Sequence, residues 1–375
     1  MLKIEYYSEV HRWEIKENRH FLGRTSISVV YISIGESSGR LLSVHYQFVT
    51  FVIMTHHRII SSPLQGFTDY RFRNALHKYF GGVDIFYAPY IRLNGRMIIK
   101  PGYQKDLQIK NNNTLNVIPQ VMTNSAEEFL FVAGYVQSLG YKELNWNLGC
   151  PYPMVTNKCL GSGLISDPSR IDAILDQVHS KSDIIVSMKM RMGYDVATEI
   201  LDVFPVLAKY PIKNIGIHAR IGKQLYVGGV DLDAFRRCVE STDQKLYFNG
   251  DITSVARFRE MAELFPMIDH WMIGRGLIAD PFLPSMIKED KLEYPENRIE
   301  KFSKFHDRLF TEYSEKLTGD KAIIRKMLSY WEYFAQRFDQ TERIIKKIKK
   351  TKSIEAYDQV IYDIFQEQGT SAIYS

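Results

Sequence analysis

A chain of 375 residues with 45% hydrophobic and 24% charged content is long enough for one large domain and a smaller one, and it excludes a disordered or coiled-coil protein. A net charge of +5 suits a polyanionic partner without requiring one. The cysteines, Cys150, Cys159 and Cys238, are too few for a disulfide scaffold and lack the paired spacing of a zinc site, so a cytoplasmic protein without a bound metal is expected.

Residues 1–53 hold strand-like runs such as Ser26 to Ile34 but no motif, and they precede an internal Met54 that is a second candidate start. Residues 1–57 are therefore expected to be an extension, either peripheral to the fold or absent from a chain begun at Met54. Acidic residues and His mixed through the first segment argue against a signal peptide. The longest apolar stretch, Leu41 to Met54, is shorter than a membrane span and is interrupted by His45 and Gln47, so a soluble protein is expected.

From Arg58 short apolar strands alternate with helical segments, the pattern of βα units around a parallel sheet. The strands are expected at Ile59 to Ser62, Ile85 to Ala88, Val117 to Val121, Glu143 to Leu148, Ile184 to Met190, Asn214 to His218, Leu246 to Asn249 and His270 to Ile273. Amphipathic stretches lie between them, among them Ala126 to Leu139, Ser169 to His179, Val196 to Lys209 and Ser254 to Leu264. The pattern predicts an α/β fold, a (β/α)8 TIM barrel over residues 58–290, whose site lies at the C-terminal ends of the strands.

Unusual polar residues fall at those ends. In the fourth strand Asn145 and Asn147 share a face opposite Leu144, Trp146 and Leu148, and the strand delivers Cys150 into a loop that Pro151 keeps from continuing the ladder. In the fifth, Ser187, Lys189 and Arg191 share a face, and a lysine inside a barrel needs an anionic or carbonyl partner. After the seventh and eighth strands come Asn249-Gly250-Asp251 and Gly274-Arg275-Gly276, where glycines let backbone N–H groups approach a ligand and Arg275 adds a cation, as a phosphate site at this position in a barrel requires. From Tyr294 only helical patterns follow, at Ile299 to Leu317, Lys321 to Arg337 and Ile354 to Gln366. Residues 295–375 are thus expected to form a small C-terminal helical domain. Arg343, Lys346, Lys347, Lys349, Lys350 and Lys352 form a basic cluster between its last helices, either a solvated face or a nucleic-acid grip.

These residues together resemble the FMN-dependent tRNA-dihydrouridine synthases, from about Ile59 to the C-terminus. The resemblance rests on SPLQGFTDYRFR, PQVM, NLGCP followed by KCLGSG, SMKMRMG, IHARIGKQLY, FNGDI and MIGRG, all in order on the barrel register. It implies that Pro63, Leu64 and Gln65 line the flavin, that Gln120 hydrogen-bonds the ring edge, and that Lys189 and His218 contact the reduced ring and its tail. Asn249, Gly250, Asp251, Gly274 and Arg275 would hold the FMN phosphate. Asn147 and Arg191 would meet the substrate, and Lys346, Lys347, Lys349 and Lys350 the tRNA. Ser62, Leu64, Ala219 and Ile221 depart from the usual Ala, Met, Gly and Thr without removing a charged or catalytic group.

The activity implied is reduction of specific tRNA uridines to 5,6-dihydrouridine by FMN and NAD(P)H, with hydride passing from flavin N5 to C6. Cys150 is expected to give C5 its proton, since a thiol of ordinary pKa, about 8.5, is protonated at neutral pH. NADPH is the expected reductant and NADH the alternative, and no GxGxxG follows a strand. A monomer is expected. The rivals are a flavin barrel that reduces a small pyrimidine or enone, and a non-catalytic RNA-binding barrel.

Overall fold

The computed structural model describes residues 26–34, 44–52 and 57–371. Residues 1–56 and 57–375 form separate compact units. In the first, β1 (Ser26–Ile34) and β2 (Val44–Val52) pair antiparallel, with Ser26 opposite Val52 and Ile34 opposite Val44. Met54 lies outside the described residues.

The second unit begins with the barrel. Its strands are β3 (Arg58–Ser61), β4 (Ile85–Tyr87), β5 (Val117–Ile118), β6 (Gln120–Val121), β7 (Glu143–Leu148), β8 (Ile185–Gly193), β9 (Ile215–Ile221), β10 (Leu246–Asn249) and β11 (His270–Ile273). All pairings between them are parallel, in the order β5-β4-β3-β11-β10-β9-β8-β7-β6. The two ends of this order are one stave, expected as a single strand from Val117 to Val121 and broken at Pro119, which has no N–H to give a ladder. Ahead of the proline β5 pairs with β4, and after it β6 pairs with β7. Pro119 still accepts from Asn145 N at 2.9 Å, so the break hands the stave from one neighbour to the other and closes the barrel.

The helices in chain order are α1 (Tyr70–Tyr79), α2 (Pro101–Leu107), α3 (Ala126–Ser138), α4 (Pro153–Thr156), α5 (Pro168–Lys181), α6 (Glu199–Leu207), α7 (Leu232–Glu240), α8 (Val255–Leu264), α9 (Arg275–Ala279) and α10 (Leu283–Glu289). Many open on a side-chain cap: Asp69, Ser125, Asp167, Asp231 and Ser254 each accept from a backbone N–H of the first turn, satisfying donors the helix leaves free. Each cap ends the loop that carries a strand's C-terminal residues into the next helix, which places those loops on one face of the barrel. Between strands and helices lies the large apolar layer that includes Ile59, Leu144, Trp146, Ile217 and Trp271. Inside the barrel a small group, Ile60, Tyr87, Tyr247 and Met272, is apolar, whereas Gln120, Asn145, Ser187 and Lys189 are polar and buried.

Four further helices complete the chain: α11 (Arg298–Ser314), α12 (Asp320–Phe334), α13 (Thr341–Lys349) and α14 (Ile354–Ser371). Their shared core is aromatic, with Phe302, Phe305, Trp331, Phe334 and Phe365 buried together. It continues into the barrel's outer layer through Phe72 of α1, which stacks on Tyr330 at 5.7 Å and meets Phe305 edge-on at 5.9 Å. The basic cluster expected between the last helices lies largely on one, α13, whose buried face is Ile344 and Ile348.

Candidate active site

Above the barrel's polar interior opens a cavity of about 720 Å³. It brings together Pro63, Leu64, Lys189, His218, Asn249, Gly250, Asp251, Gly274 and Arg275, from five strands and the loops after them; Lys189 and His218 lie within β8 and β9, which run on to Gly193 and Ile221, and not at their ends. Its outer wall is formed by the helical region, through Glu332 and Tyr333 at the end of α12 and Gln336 and Arg337 in the 3-10 turn that follows. Gln65 is exposed at the rim and donates to Tyr90 O at 3.2 Å.

Lys189 is buried and has no carboxylate partner among the described residues. Burial, and then the neighbouring Arg191, lower its pKa to about 7. Such a lysine favours an incoming anion or carbonyl, because the ligand supplies the partner the fold withholds. His218, on the adjacent strand, is held well below its ordinary pKa by burial and by Lys189, Arg191, Arg220 and Arg275, so it is neutral. Its Nε2 lies 3.1 Å from Arg220 Nη1, which makes that nitrogen an acceptor.

Asp251 does not face the cavity as a free charge. Its carboxylate accepts from Arg220 Nη1 at 2.9 Å and from Arg275 Nη2 at 3.2 Å, so it holds Arg275 at the cavity wall. Arg275 in turn lies over the Tyr226 ring, 4.6 Å from its centroid. Asn249 is fixed by donating to Met272 O at 2.7 Å. A Cβ on Gly276 would sit 2.2 Å from Ile252 O, so only glycine lets the loops after β10 and β11 approach this closely. An unpaired lysine, a positioned arginine and two glycine-bearing loops fit a flat, phosphate-bearing cofactor.

Gln120, Asn145 and Asn147 occupy a layer beneath the cavity and do not line it. Gln120 donates to Asn145 Oδ1 at 2.7 Å and accepts from Asn147 Nδ2 at 2.8 Å; Asn145 donates on to Ser187 Oγ at 2.9 Å. Asn147 Oδ1 accepts from both Gly149 N and Cys150 N, each at 3.0 Å. The carboxamide chain therefore orients the turn that carries Cys150. Behind it Gly161, at φ +57, packs so closely that a Cβ would fall 2.5 Å from Cys150 O, and Ser162 N donates to that same oxygen at 3.1 Å.

Cys150 itself is 8% exposed. Tyr90 O–H lies 3.9 Å from its Sγ, and burial together with the neighbouring thiol holds this tyrosine well above its ordinary pKa, as a protonated donor. Arg191 is fully buried, donating to Gly149 O at 3.2 Å and Ile221 O at 2.7 Å, with its pKa lowered to about 10 chiefly by burial. Its Nη2 has no hydrogen-bond partner. Two under-satisfied cations, Lys189 and Arg191, thus lie on β8 beside the thiol's turn.

The α13 lysines are divided. Lys347 pairs with Glu367 at 2.8 Å and Lys349 lies 3.9 Å from Glu332, whereas Lys346 and Lys350 are exposed and have no ion pair among the described residues. Tyr90, Arg220, Tyr226 and the α12 wall were not singled out from the sequence. Arg220 was within reach, since it follows His218 by the two-residue strand period; the α12 wall carries no local signal. Among the described residues no group of His, Cys, Asp or Glu is placed to hold a metal, and no helix is long and apolar enough to cross a membrane.

The dihydrouridine synthase (Dus) family model matches residues 59–368. The tRNA-dihydrouridine(16) synthase of Cupriavidus necator is 26% identical over 238 residues, 62% of this chain and 73% of that protein. The probable tRNA-dihydrouridine synthase of Rickettsia bellii is 28% identical over 233 residues, 61% and 70% of the two chains. The probable tRNA-dihydrouridine synthase 2 of Bacillus subtilis extends the match to 312 residues at 24% identity, 81% of this chain and 93% of its own. Among solved structures, morphinone reductase aligns over 66% of this chain and 88% of its own with a TM-score of 0.45 and 10% identity, too loose a likeness to bear on function. With the model spanning the barrel, the cavity and nearly all of the helical region, the chain belongs to the dihydrouridine synthase family.

Proposed function

We propose that this protein reduces uridines of tRNA to 5,6-dihydrouridine with FMN as cofactor and NADPH as reductant, in the cytoplasm. What supports the proposal is an unpaired Lys189 and a positioned Arg275 lining one cavity, with Cys150, which does not itself line it, at the end of the strand beside that of Lys189 and close enough to act on its charge.

Flavin, when bound, supplies a hydride to C6 of the uracil ring. Lys189, lacking a carboxylate partner, would stabilise negative charge on the bound flavin. Arg275, with the backbone of Gly250, Asp251 and Gly274, would hold its phosphate. As the C5=C6 bond is lost, the electron pair moves toward the C4 oxygen and returns to C5, which takes the proton from Cys150 Sγ. Cys150 is left as a thiolate, with Tyr90 O–H as a donor beside it, and recovers a proton from solvent. Arg191, buried beneath the site, donates to Gly149 O and so positions the Cys150 turn toward the substrate.

Cys150→Ala tests the assignment. The variant is expected to bind FMN and accept electrons from NADPH like the unaltered protein, while dihydrouridine formation falls by about two to four orders of magnitude, the usual contribution of a general acid. Dihydrouridine formed at the unaltered rate would remove Cys150 from the reaction.

A further inference from the structure

Beyond the cavity, the loops after β7 and β9 meet over the end of β8. Tyr152, two residues past Cys150, lies 6.3 Å from Tyr226, ring centroid to centroid. Tyr226 is drawn into the cavity wall, where Arg275 and Arg191 lie 4.6 Å and 5.2 Å from its centroid. Tyr152 does not line the cavity and is 50% exposed, although the adjoining Cys150 is 8% exposed. The same two loops expose Met154 and Val227, 74% and 75% accessible. Large side chains placed in water beside a catalytic mouth are surface that a ligand covers.

The geometry points to Tyr152 as a stacking platform for the unpaired base next to the reacting uridine; this rests on the function proposed above. Aromatic rings interleaved with guanidinium groups take stacked bases and neutralise the phosphates between them. In the proposed reaction the uridine goes inward to the buried Cys150. The nucleotide that follows it stays outside, where the open ring is that of Tyr152. Extruding a base from a folded RNA unstacks its neighbour as well, and a ring waiting at the rim restores the lost stacking.

The test is tRNA binding by fluorescence anisotropy for the unaltered protein, Tyr152→Ala and Tyr152→Phe, at several salt concentrations. The alanine variant is expected to bind about tenfold more weakly and the phenylalanine variant within about twofold of the unaltered protein, because stacking needs the ring and not the hydroxyl. The salt dependence should keep its slope, because no phosphate contact is lost. In a second arm, once the modified uridine has been located, transcripts made abasic at each flanking nucleotide are compared. One of them should weaken the unaltered protein by the same factor and Tyr152→Ala no further. Equal affinities of the alanine variant and the unaltered protein, or a loss with a shallower salt slope, would overturn the inference while leaving the proposed function standing, provided the unaltered protein still reduces tRNA. If the unaltered protein neither binds nor reduces tRNA, the proposed function falls and the platform with it.

Discussion

Lys189 is the residue whose energetics the fold leaves most incomplete. Its pKa of about 7 arises from burial without a carboxylate, so ligand-free protein carries it only half protonated near neutrality. A bound anion favours the charged form and raises that pKa, so FMN binding takes up a proton above pH 7 and its affinity falls as pH rises through the same range. Calorimetry in buffers of different ionisation enthalpy should register this uptake at pH 8, and Lys189→Met should abolish it while weakening binding. Uptake that persisted in the variant would assign the proton elsewhere. Tyr90 makes a second prediction at this scale: its hydroxyl supports the thiolate left on Cys150, so Tyr90→Phe should slow oxidation by tRNA about tenfold and leave reduction by NADPH unaltered. Stopped-flow absorbance separates the two half-reactions, and equal slowing of both would mean that the hydroxyl supports the site as a whole and not the thiolate.

Among the elements, α12 ties the helical region to the site. Lys326 on its inner face donates to Gly66 O and lies over the rings of Phe67, Tyr313 and Tyr330, at 5.3, 4.6 and 4.3 Å from their centroids. Gly66 follows Pro63, Leu64 and Gln65, so this caged cation positions the loop that lines the cavity. Burial lowers its pKa to about 8. Lys326→Met keeps the stem but not the charge or the donor, and is expected to weaken FMN binding several-fold, on the order of one hydrogen bond to a charged group, with little change in helix content. Unchanged FMN affinity, measured by fluorescence quenching, would make the cage a matter of stability alone. The strands themselves were legible because apolar runs of the right length recur between helical patterns; β7, β10 and β11 occur at the expected bounds. The break at Pro119 was legible in principle, since proline cannot give a ladder bond, but which neighbour each half pairs with depends on barrel closure and not on local sequence. The helix α13 was missed because its buried stripe is short, Ile344 and Ile348 on one face among lysines.

At the scale of the whole molecule, the cavity belongs to neither the barrel nor the helices alone, since residues of α12 form its outer wall. This is what the sequence could not display: Glu332, Tyr333 and Arg337 are far from every strand-end motif and acquire a place at the site only by tertiary packing. The motif residues were legible because each lies on or just after its own strand, where chain order and barrel order coincide. The α13 lysines lie close to the mouth, since Lys349 is 3.9 Å from Glu332, which lines the cavity. Replacing Lys346, Lys347, Lys349 and Lys350 together is expected to weaken tRNA binding, but Lys347 and Lys349 already face Glu367 and Glu332. The salt slope should therefore fall by about two phosphate contacts and not four. A titration of affinity against salt reads this directly, and an unaltered slope would make α13 a solvated face.

In the proposed reaction this mouth delivers a hydride and a proton to a uridine of tRNA. That delivery is tested most directly by reducing the FMN-loaded protein with NADPH in the absence of air, adding unmodified tRNA, following the flavin absorbance and then digesting the tRNA for mass spectrometry. The predicted result is recovery of the oxidised spectrum with tRNA and the gain of two hydrogens at a specific uridine. Recovery only with a small pyrimidine or enone, and tRNA of unchanged mass, would contradict it.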